Sequence, residues 1–141
     1  MPEITVIVPS YNTPKEHIDA LCNSLMAQTF KDFEVYIVDD RSEFDFYHFF
    51  DDERFHLLKM PRNCGPAKCR NMGVLYSESE KIFFTDSDCR LAENTLAEAV
   101  RELDSYDAVM GNTVTDVKTR FGKAVALLGF PGGGCIGFDK V

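Results

Sequence analysis

The sequence predicts an α/β fold in which a mostly parallel sheet is flanked by helices. Short runs of apolar and β-branched residues, typical of buried strands, alternate with segments whose apolar residues recur every three or four positions, typical of helices. The connections are short, and strands that are joined through helices pair in parallel. Of the 141 residues 45% are hydrophobic, which is enough for the core of one domain.

The first predicted strand is Ile4–Val8, which residues 9–12 (Pro-Ser-Tyr-Asn) interrupt. Thr13 and Glu16 have the spacing of a capping box at the start of a helix, with Pro14 as its first residue. The predicted helix has one apolar face, formed by Ile18, Leu21, Cys22, Leu25 and Met26. A second strand, Phe33–Val38, ends at two aspartates.

The alternation continues through the second half of the chain. It predicts strands at Phe55–Lys59, Lys81–Thr85 and Ala108–Gly111, and helices from Pro66 to about Tyr76 and from Asn94 or Thr95 to Leu103. Residues 113–128 stay open between helix and strand, and residues 130–134 (Phe-Pro-Gly-Gly-Gly) predict a loop.

An aromatic cluster lies between the second and third strands. It allows two interpretations, packing of a helix against the core or an exposed surface that binds a partner. Its members are Phe44, Phe46, Tyr47, Phe49 and Phe50.

The composition excludes several classes of protein. A net charge of −8 disfavours binding to nucleic acid and to anionic membrane surfaces, which requires clustered Lys and Arg. The five cysteines form no CxxC pair, so we expect neither structural zinc nor disulfides, and reduced thiols are typical of the cytoplasm. No signal peptide and no membrane span is predicted.

Carboxylates follow two of the predicted strands. Asp39 and Asp40 end the second strand, and Asp86 and Asp88 end the fourth. Since parallel strands bring their carboxyl ends to one edge, these groups repel each other unless a cation joins them, and Mg²⁺ and Mn²⁺ favour oxygen ligands. If the Asp-x-Asp segment turns, one carboxylate can bind the metal while the other holds a sugar hydroxyl or an arginine.

Each of these residues also has a purely structural interpretation. Asp40 can instead cap a following helix, directly or together with Ser42. Tyr11 alone would be a half-buried aromatic residue, and Arg70 alone a solvated helix residue. The set in this order carries more weight than any member.

Five blocks in this order resemble the family 2 glycosyltransferases, which have the Rossmann-like GT-A fold. The blocks are Ile4–Asn12 (ITVIVPSYN), Leu25–Phe30 (LMAQTF), Phe33–Asp40 with Ser42 (FEVYIVDD), Asn63–Gly73 (NCGPAKCRNMG) and Ile82–Asp88 (IFFTDSD). The resemblance covers essentially the whole chain.

The resemblance implies a binding site for a nucleotide sugar. Pro9 and Tyr11 would line the base, and Asp39 would accept a hydrogen bond from the base ring. Two departures from the family pattern affect the base and diphosphate contacts. Arg41 stands where Gly is common, and Cys69 stands where Ala is commoner.

The same resemblance implies a metal site at the Asp-x-Asp segment. Arg70 would lie near Asp86 and the diphosphate, and Asp86 and Ser87 would lie near the ribose. Asp88 would be the main ligand of a divalent metal ion, Mn²⁺ or Mg²⁺, with Asp86 beside it. A cation stabilises the charge that develops on a nucleoside diphosphate leaving group.

The implied activity is transfer of a sugar from a metal-bound nucleotide sugar, by default a UDP-sugar, to a hydroxyl of a glycan or lipid-linked acceptor, with inversion. No position matches the family's acidic general base downstream. We therefore expect residues 1–141 to be the donor-binding portion of a longer domain, with weak or absent transfer by itself. Membrane association would come only through regions outside this chain. The loop Gly132–Gly134 resembles the segment that reaches the sugar and acceptor, or is a plain turn.

Two other functions fit parts of the pattern. One is a non-catalytic module that binds a nucleotide sugar or a partner. The other is a haloacid-dehalogenase-like phosphatase, whose pattern has Thr or Val two residues after the second aspartate, where this chain has Arg90 after Cys89. A dinucleotide-binding domain is disfavoured because no Gly-x-Gly-x-x-Gly follows the first strand.

Overall fold

The computed structural model describes residues 1–43, 52–114, 117, 119 and 122–124. The chain divides into two compact units, Met1–Val109 and Met110–Val141. The first unit contains β1 (Ile4–Ser10), α1 (Lys15–Met26), β2 (Phe33–Asp39), β3 (Phe55–Lys59), α2 (Pro66–Tyr76), β4 (Lys81–Phe84) and α3 (Thr95–Leu103). In the second unit, residues 122–124 form a short helical turn.

The four strands form one parallel sheet with the order β3-β2-β1-β4. Ile4 of β1 is in register with Phe33 on one side and with Lys81 on the other. The chain runs outward from β1 through β2 to β3 and then crosses to the opposite side of β1 for β4. Ligands of open α/β sheets bind at such a reversal, beyond the carboxyl ends of the strands. The predicted α/β class is confirmed.

The larger core lies between one face of the sheet and helices α1 and α3. Alternate residues of β1 point into it, because successive side chains of a strand face opposite sides. They pack against Ile18, Leu21, Cys22 and Leu25 of the apolar face predicted for α1 and against Leu96 and Val100 of α3. Met26, the fifth residue predicted for that face, is exposed. The β1 residues in this core are Ile4, Val6 and Val8, each fully buried.

Helix α2 covers the other face of the sheet. The smaller core there consists of Ile7, Val38, Met60 and Cys69. The helix approaches β1 closely at Gly73, where an added Cβ would lie 2.5 Å from Cγ2 of Ile7. Glycine suits this contact between α2 and β1, since Ile7 is fully buried and close packing of interiors opposes the shift that an added methyl group would require.

We expect Gly73→Ala to lower the free energy of unfolding by about 1–2 kcal/mol. Overpacking costs about 1–3 kcal/mol, and the higher helix propensity of Ala offsets up to about 1 kcal/mol of it. Urea unfolding of both proteins measures the difference. Gly111→Ala is the matched control, since nothing lies within 4 Å of its added Cβ. Equal urea midpoints for wild type and Gly73→Ala would contradict this expectation and would show that β1 shifts to accommodate the added methyl group.

A buried glutamine joins α1 to α3. Gln28 is fully buried, and its amide nitrogen donates to the carbonyl oxygens of Ser24 (3.0 Å) and Ala92 (2.7 Å). Its amide oxygen accepts from the backbone N–H of Leu96 at 2.9 Å, which caps the first turn of α3. All three polar contacts point inward, so Gln28 fixes the segment that leads from β4 into α3.

Two predicted elements are wrong. The capping box does not form: α1 begins at Lys15 after Pro14, with no side-chain cap, because the Thr13 hydroxyl bonds to Ser10 and Ser87 instead. Residues 108–111 form no strand and are exposed, because no neighbouring strand of the described chain offers a ladder in which their backbone could pair.

The other boundaries shift by one or two residues. β1 continues through Ser10, β2 reaches Asp39, and β4 ends at Phe84. The aromatic cluster at residues 44–50 and the loop Gly132–Gly134 lie outside the described residues, as does most of 113–128. Over the described ranges, no helix has the length and apolar character needed to cross a bilayer.

Candidate functional site

A cavity of about 690 Å³ opens at the carboxyl ends of β1 and β4. Its size falls in the range of small-molecule sites, about 300–1,000 Å³. Three segments supply most of its wall: the turn after β1, the start of α2 and the turn after β4. The lining residues are Pro9, Ser10, Tyr11, Asn12, Thr13, Pro14, His17, Asp40, Asn63, Gly65, Pro66, Cys69, Arg70, Asp86, Ser87 and Asp88.

The Asp-x-Asp segment forms a turn. The backbone N–H of Cys89 donates to the carbonyl oxygen of Asp86 at 3.1 Å. The guanidinium of Arg70, on α2, donates to Oδ1 of Asp86 at 2.7 Å. Arg70 therefore neutralises the first carboxylate of the segment, as the sequence predicted for a turned geometry.

The second carboxylate of the segment faces solvent. Asp88 is exposed, and among the described residues it forms no ion pair. Its oxygens are hard donors of the kind that Mg²⁺ and Mn²⁺ take. No three His, Cys, Asp or Glu residues in the described part of the chain are grouped closely enough to hold a metal. Asp88 thus suits a cation that takes most of its ligands from phosphate oxygens and water, as Mg²⁺ commonly does.

Asp40 has a structural role in the cavity wall. Its carboxylate is almost fully buried and accepts hydrogen bonds from the backbone N–H groups of Cys64 and Gly65, both at 2.7 Å. Gly65 directly precedes α2 and has φ of +84°, a conformation that glycine adopts readily. Asp40 does not cap the helix, since α2 has no side-chain cap and both N–H groups precede its first turn; the carboxylate instead holds the loop that leads into α2.

Cys69, which stands where Ala is commoner in the family, packs next to this loop. Cys69 is fully buried. Burial, and then the nearby carboxylate of Asp40, raise the pKa of its thiol to about 12. The side chain is therefore neutral and acts as a small apolar residue rather than as a nucleophile.

Asp39 does not line the cavity. It is almost fully buried, and its Oδ1 accepts hydrogen bonds from the backbone N–H and the hydroxyl of Ser42. Ser42 in turn accepts from the backbone N–H of Asn12 at 2.9 Å, which ties the turn after β1 to the turn after β2. Asn12 and Arg41 both have positive φ, +48° and +66°. The value at Arg41 explains why glycine suits this position.

The structure brings most of the predicted site residues together. Six line one cavity, and the exception is Asp39. The six are Pro9, Tyr11, Arg70, Asp86, Ser87 and Asp88.

Sequence reasoning missed several further lining residues, among them His17 and Thr13. His17 belongs to the first turn of α1, and Thr13 had been assigned to a helix cap. Their nearness to the end of β1 was the available signal, since side chains just after a parallel strand face the same crevice.

Comparison with known sequences gives one family over most of the chain. Residues 5–129 match the family described as Glycosyl transferase family 2. The glycosyltransferase GlyG of Streptococcus pneumoniae is 34% identical over 117 residues, which cover 77% of this chain and 38% of the relative. The poly(ribitol-phosphate) beta-N-acetylglucosaminyltransferase TarS of Staphylococcus aureus is 36% identical over 113 residues, 75% of this chain and 20% of the relative. The chain thus spans well under half the length of both relatives.

Solved structures show the same fold. The crystal structure of S. aureus TarS in complex with UDP-GlcNAc has a TM-score of 0.68 at 30% identity, over 81% of this chain and 37% of that one. The mannosyltransferase PcManGT from Pyrobaculum calidifontis, in complex with GDP-Man and Mn²⁺, has a TM-score of 0.64 at 28% identity, over 72% and 32%. With the sequence match over residues 5–129, these likenesses show that the chain belongs to glycosyl transferase family 2.

Proposed function

We propose that residues 1–141 are the donor-binding portion of a glycosyltransferase that takes a sugar from a metal-bound nucleotide sugar and transfers it, with inversion, to a hydroxyl of a glycan or lipid-linked acceptor. Family membership supports the class of reaction. The free thiols of the described cysteines are in keeping with a reducing compartment, and we propose the cytoplasm.

The turn after β4 carries this proposal. The guanidinium of Arg70 donates to Oδ1 of Asp86 at 2.7 Å, while Asp88 lines the same cavity with an exposed carboxylate. One positively charged and two negatively charged side chains, one of the latter without an ion pair among the described residues, thus lie where a diphosphate and its cation would meet. The bound Mn²⁺ and GDP-Man of PcManGT support a divalent ion, Mn²⁺ or Mg²⁺. When bound, such an ion would stabilise the negative charge of the departing diphosphate.

The residues divide by the part of the donor that each would bind. Arg70 would pair with the diphosphate, Asp86 and Ser87 would face the ribose, and Asp88 would hold the cation with Asp86 beside it. These assignments are supported by their common position on one cavity wall.

The base would lie at the other end of the cavity. Tyr11 is half exposed and can present its ring to a base, and Pro9 lines the same cavity. The proposed hydrogen bond from the base ring N–H to Asp39 is supported by the family resemblance alone, since Asp39 is almost fully buried, accepts from Ser42 and does not line the cavity. The UDP-GlcNAc bound to TarS supports uracil as the default base.

Thermal unfolding with UDP or GDP, each with and without Mn²⁺, tests the proposal. At about one hundred times the dissociation constant a ligand adds about 2.7 kcal/mol, which raises the melting temperature by roughly 5–10 °C. We expect UDP with Mn²⁺ to give the largest rise and Mn²⁺ alone a small one. If no nucleotide raises the melting temperature in any combination, the proposed donor site is wrong.

Binding alone does not separate an enzyme from a donor-binding module. Release of UDP that depends on an added acceptor separates the two, because only an enzyme transfers the sugar. We expect this release to be weak or absent for residues 1–141, since no residue matches the family's acidic general base. Strong transfer by this chain would contradict that expectation. Family membership leaves the phosphatase alternative without support.

A further inference from the structure

Three hydroxyl groups form a chain across the cavity wall. The Ser10 hydroxyl donates to Oγ1 of Thr13 at 3.1 Å, and Oγ1 of Thr13 lies 2.7 Å from Oγ of Ser87. Ser10 ends β1, Thr13 precedes α1, and Ser87 is the middle residue of the Asp-x-Asp turn. The chain therefore joins the β1 end of the cavity to the turn after β4.

Thr13 is the middle member of this hydroxyl chain. It accepts from Ser10, and either hydroxyl can donate in its bond with Ser87, because a hydroxyl oxygen has two lone pairs and can accept two bonds. Thr13 is 9% exposed, which shields its bonds from competing water.

The loop that contains Thr13 is held by other contacts. Asn12 donates its backbone N–H to Ser42 at 2.9 Å and accepts from the backbone N–H of Glu43 at 2.8 Å through Oδ1. The loop therefore does not require the bond from Thr13 to Ser87. That bond instead joins residues 74 positions apart, and its effect falls on the turn.

We propose that Thr13 is a positioning residue: its hydroxyl holds Ser87 and thereby fixes the Asp86–Cys89 turn so that Asp88 faces the diphosphate end of the cavity. This inference rests on the proposed function, because it concerns how the same site presents its carboxylate. Loss of one such bond changes an equilibrium by roughly fivefold to tenfold.

The first experiment measures the turn itself and uses no ligand. The N–H of Cys89, bonded to the carbonyl oxygen of Asp86, reports whether the turn is closed. We expect Thr13→Val to lower the hydrogen-exchange protection of this amide by roughly fivefold to tenfold and Thr13→Ser to restore it. Thr29→Val is the matched control, since the hydroxyl of Thr29 donates outside the cavity, to Glu93. Ser87→Ala breaks the same bond from its other end and replaces Thr13→Val if that variant does not fold.

The second experiment measures binding of UDP with and without Mn²⁺. We expect Thr13→Val to weaken binding with Mn²⁺ by roughly fivefold to tenfold and binding without metal by less than about twofold, because the turn acts through Asp88, the proposed ligand of the cation. Thr13→Ser should bind as wild type does.

The two experiments can contradict the inference and the proposed function independently of each other. If wild type binds no nucleotide, the proposed function is wrong, while exchange at Cys89 still decides whether Thr13 holds the turn. Protection at Cys89 within about twofold of wild type in both Thr13→Val and Ser87→Ala would overturn the inference. Equal weakening of UDP binding with and without Mn²⁺ would also overturn it.

Discussion

Asp88→Asn is expected to abolish the Mn²⁺-dependent part of nucleotide binding and to leave the fold intact. The residue is exposed, and its carboxylate is the one in the turn that Arg70 leaves unpaired. An amide carries no charge and is a poor ligand for a hard cation. Mutation of residues that only hydrogen-bond to a metal ligand typically lowers metal affinity by about 10- to 100-fold. Loss of a direct ligand should therefore lower the Mn²⁺ affinity by more than about 100-fold.

Calorimetric titration of Mn²⁺ into the UDP-saturated protein measures this loss. Asp104→Asn is the matched control, since Asp104 is an exposed aspartate whose carboxylate pairs with Lys81 at 2.7 Å outside the cavity. Its titration should match that of wild type. Unchanged Mn²⁺ affinity in Asp88→Asn would mean that the cation is held elsewhere.

Asp40→Ala is expected to cause the largest loss of stability of any substitution in the cavity wall. It removes the acceptor of two backbone N–H groups, at Cys64 and Gly65, and leaves both donors unpaired. Hydrogen bonds to charged groups contribute about 1.5–3 kcal/mol each, so we expect a loss of about 3–5 kcal/mol. That is a large fraction of a total that is typically about 5–15 kcal/mol.

Urea unfolding measures the effect, with Asp40→Asn and Asp104→Asn beside it. Asn retains one acceptor oxygen, so Asp40→Asn should lose roughly half as much. The surface variant Asp104→Asn should stay within about 0.5 kcal/mol of wild type. A loss below about 1 kcal/mol in Asp40→Ala would show that water replaces the carboxylate at both amides.

The sequence predicted the elements of the fold well where the hydrophobic pattern agrees with the strand pairing in the sheet. β3, α2 and α3 have the expected bounds, because turn residues punctuate them: Gly65 and Pro66 open α2, and Asn94 precedes α3. The strand predicted at residues 108–111 failed because apolar character alone supplies no ladder partner.

The site was predictable in its charged groups and not in its hydroxyl groups. Arg70 and Asp86 form one of the two contacts that a turned segment allowed, the other being a sugar hydroxyl. Thr13 could serve either as a helix cap or as a partner of a distant hydroxyl, and local spacing favours the cap. Its partner Ser87 lies 74 residues away, so only the tertiary structure decides between them.

The close approach of α2 to β1 also bears on how the cavity could be redesigned. Arg70 lies three residues before Gly73, less than one turn along the same helix. Because Gly73 has no side chain of its own, the Ile7 side chain of β1 sets the depth of α2 and hence the starting point of the Arg70 side chain. Libraries that seek new donors should therefore treat α2 as a fixed reference and vary Tyr11, Pro14 and His17, which line the cavity from the turn after β1 and the start of α1.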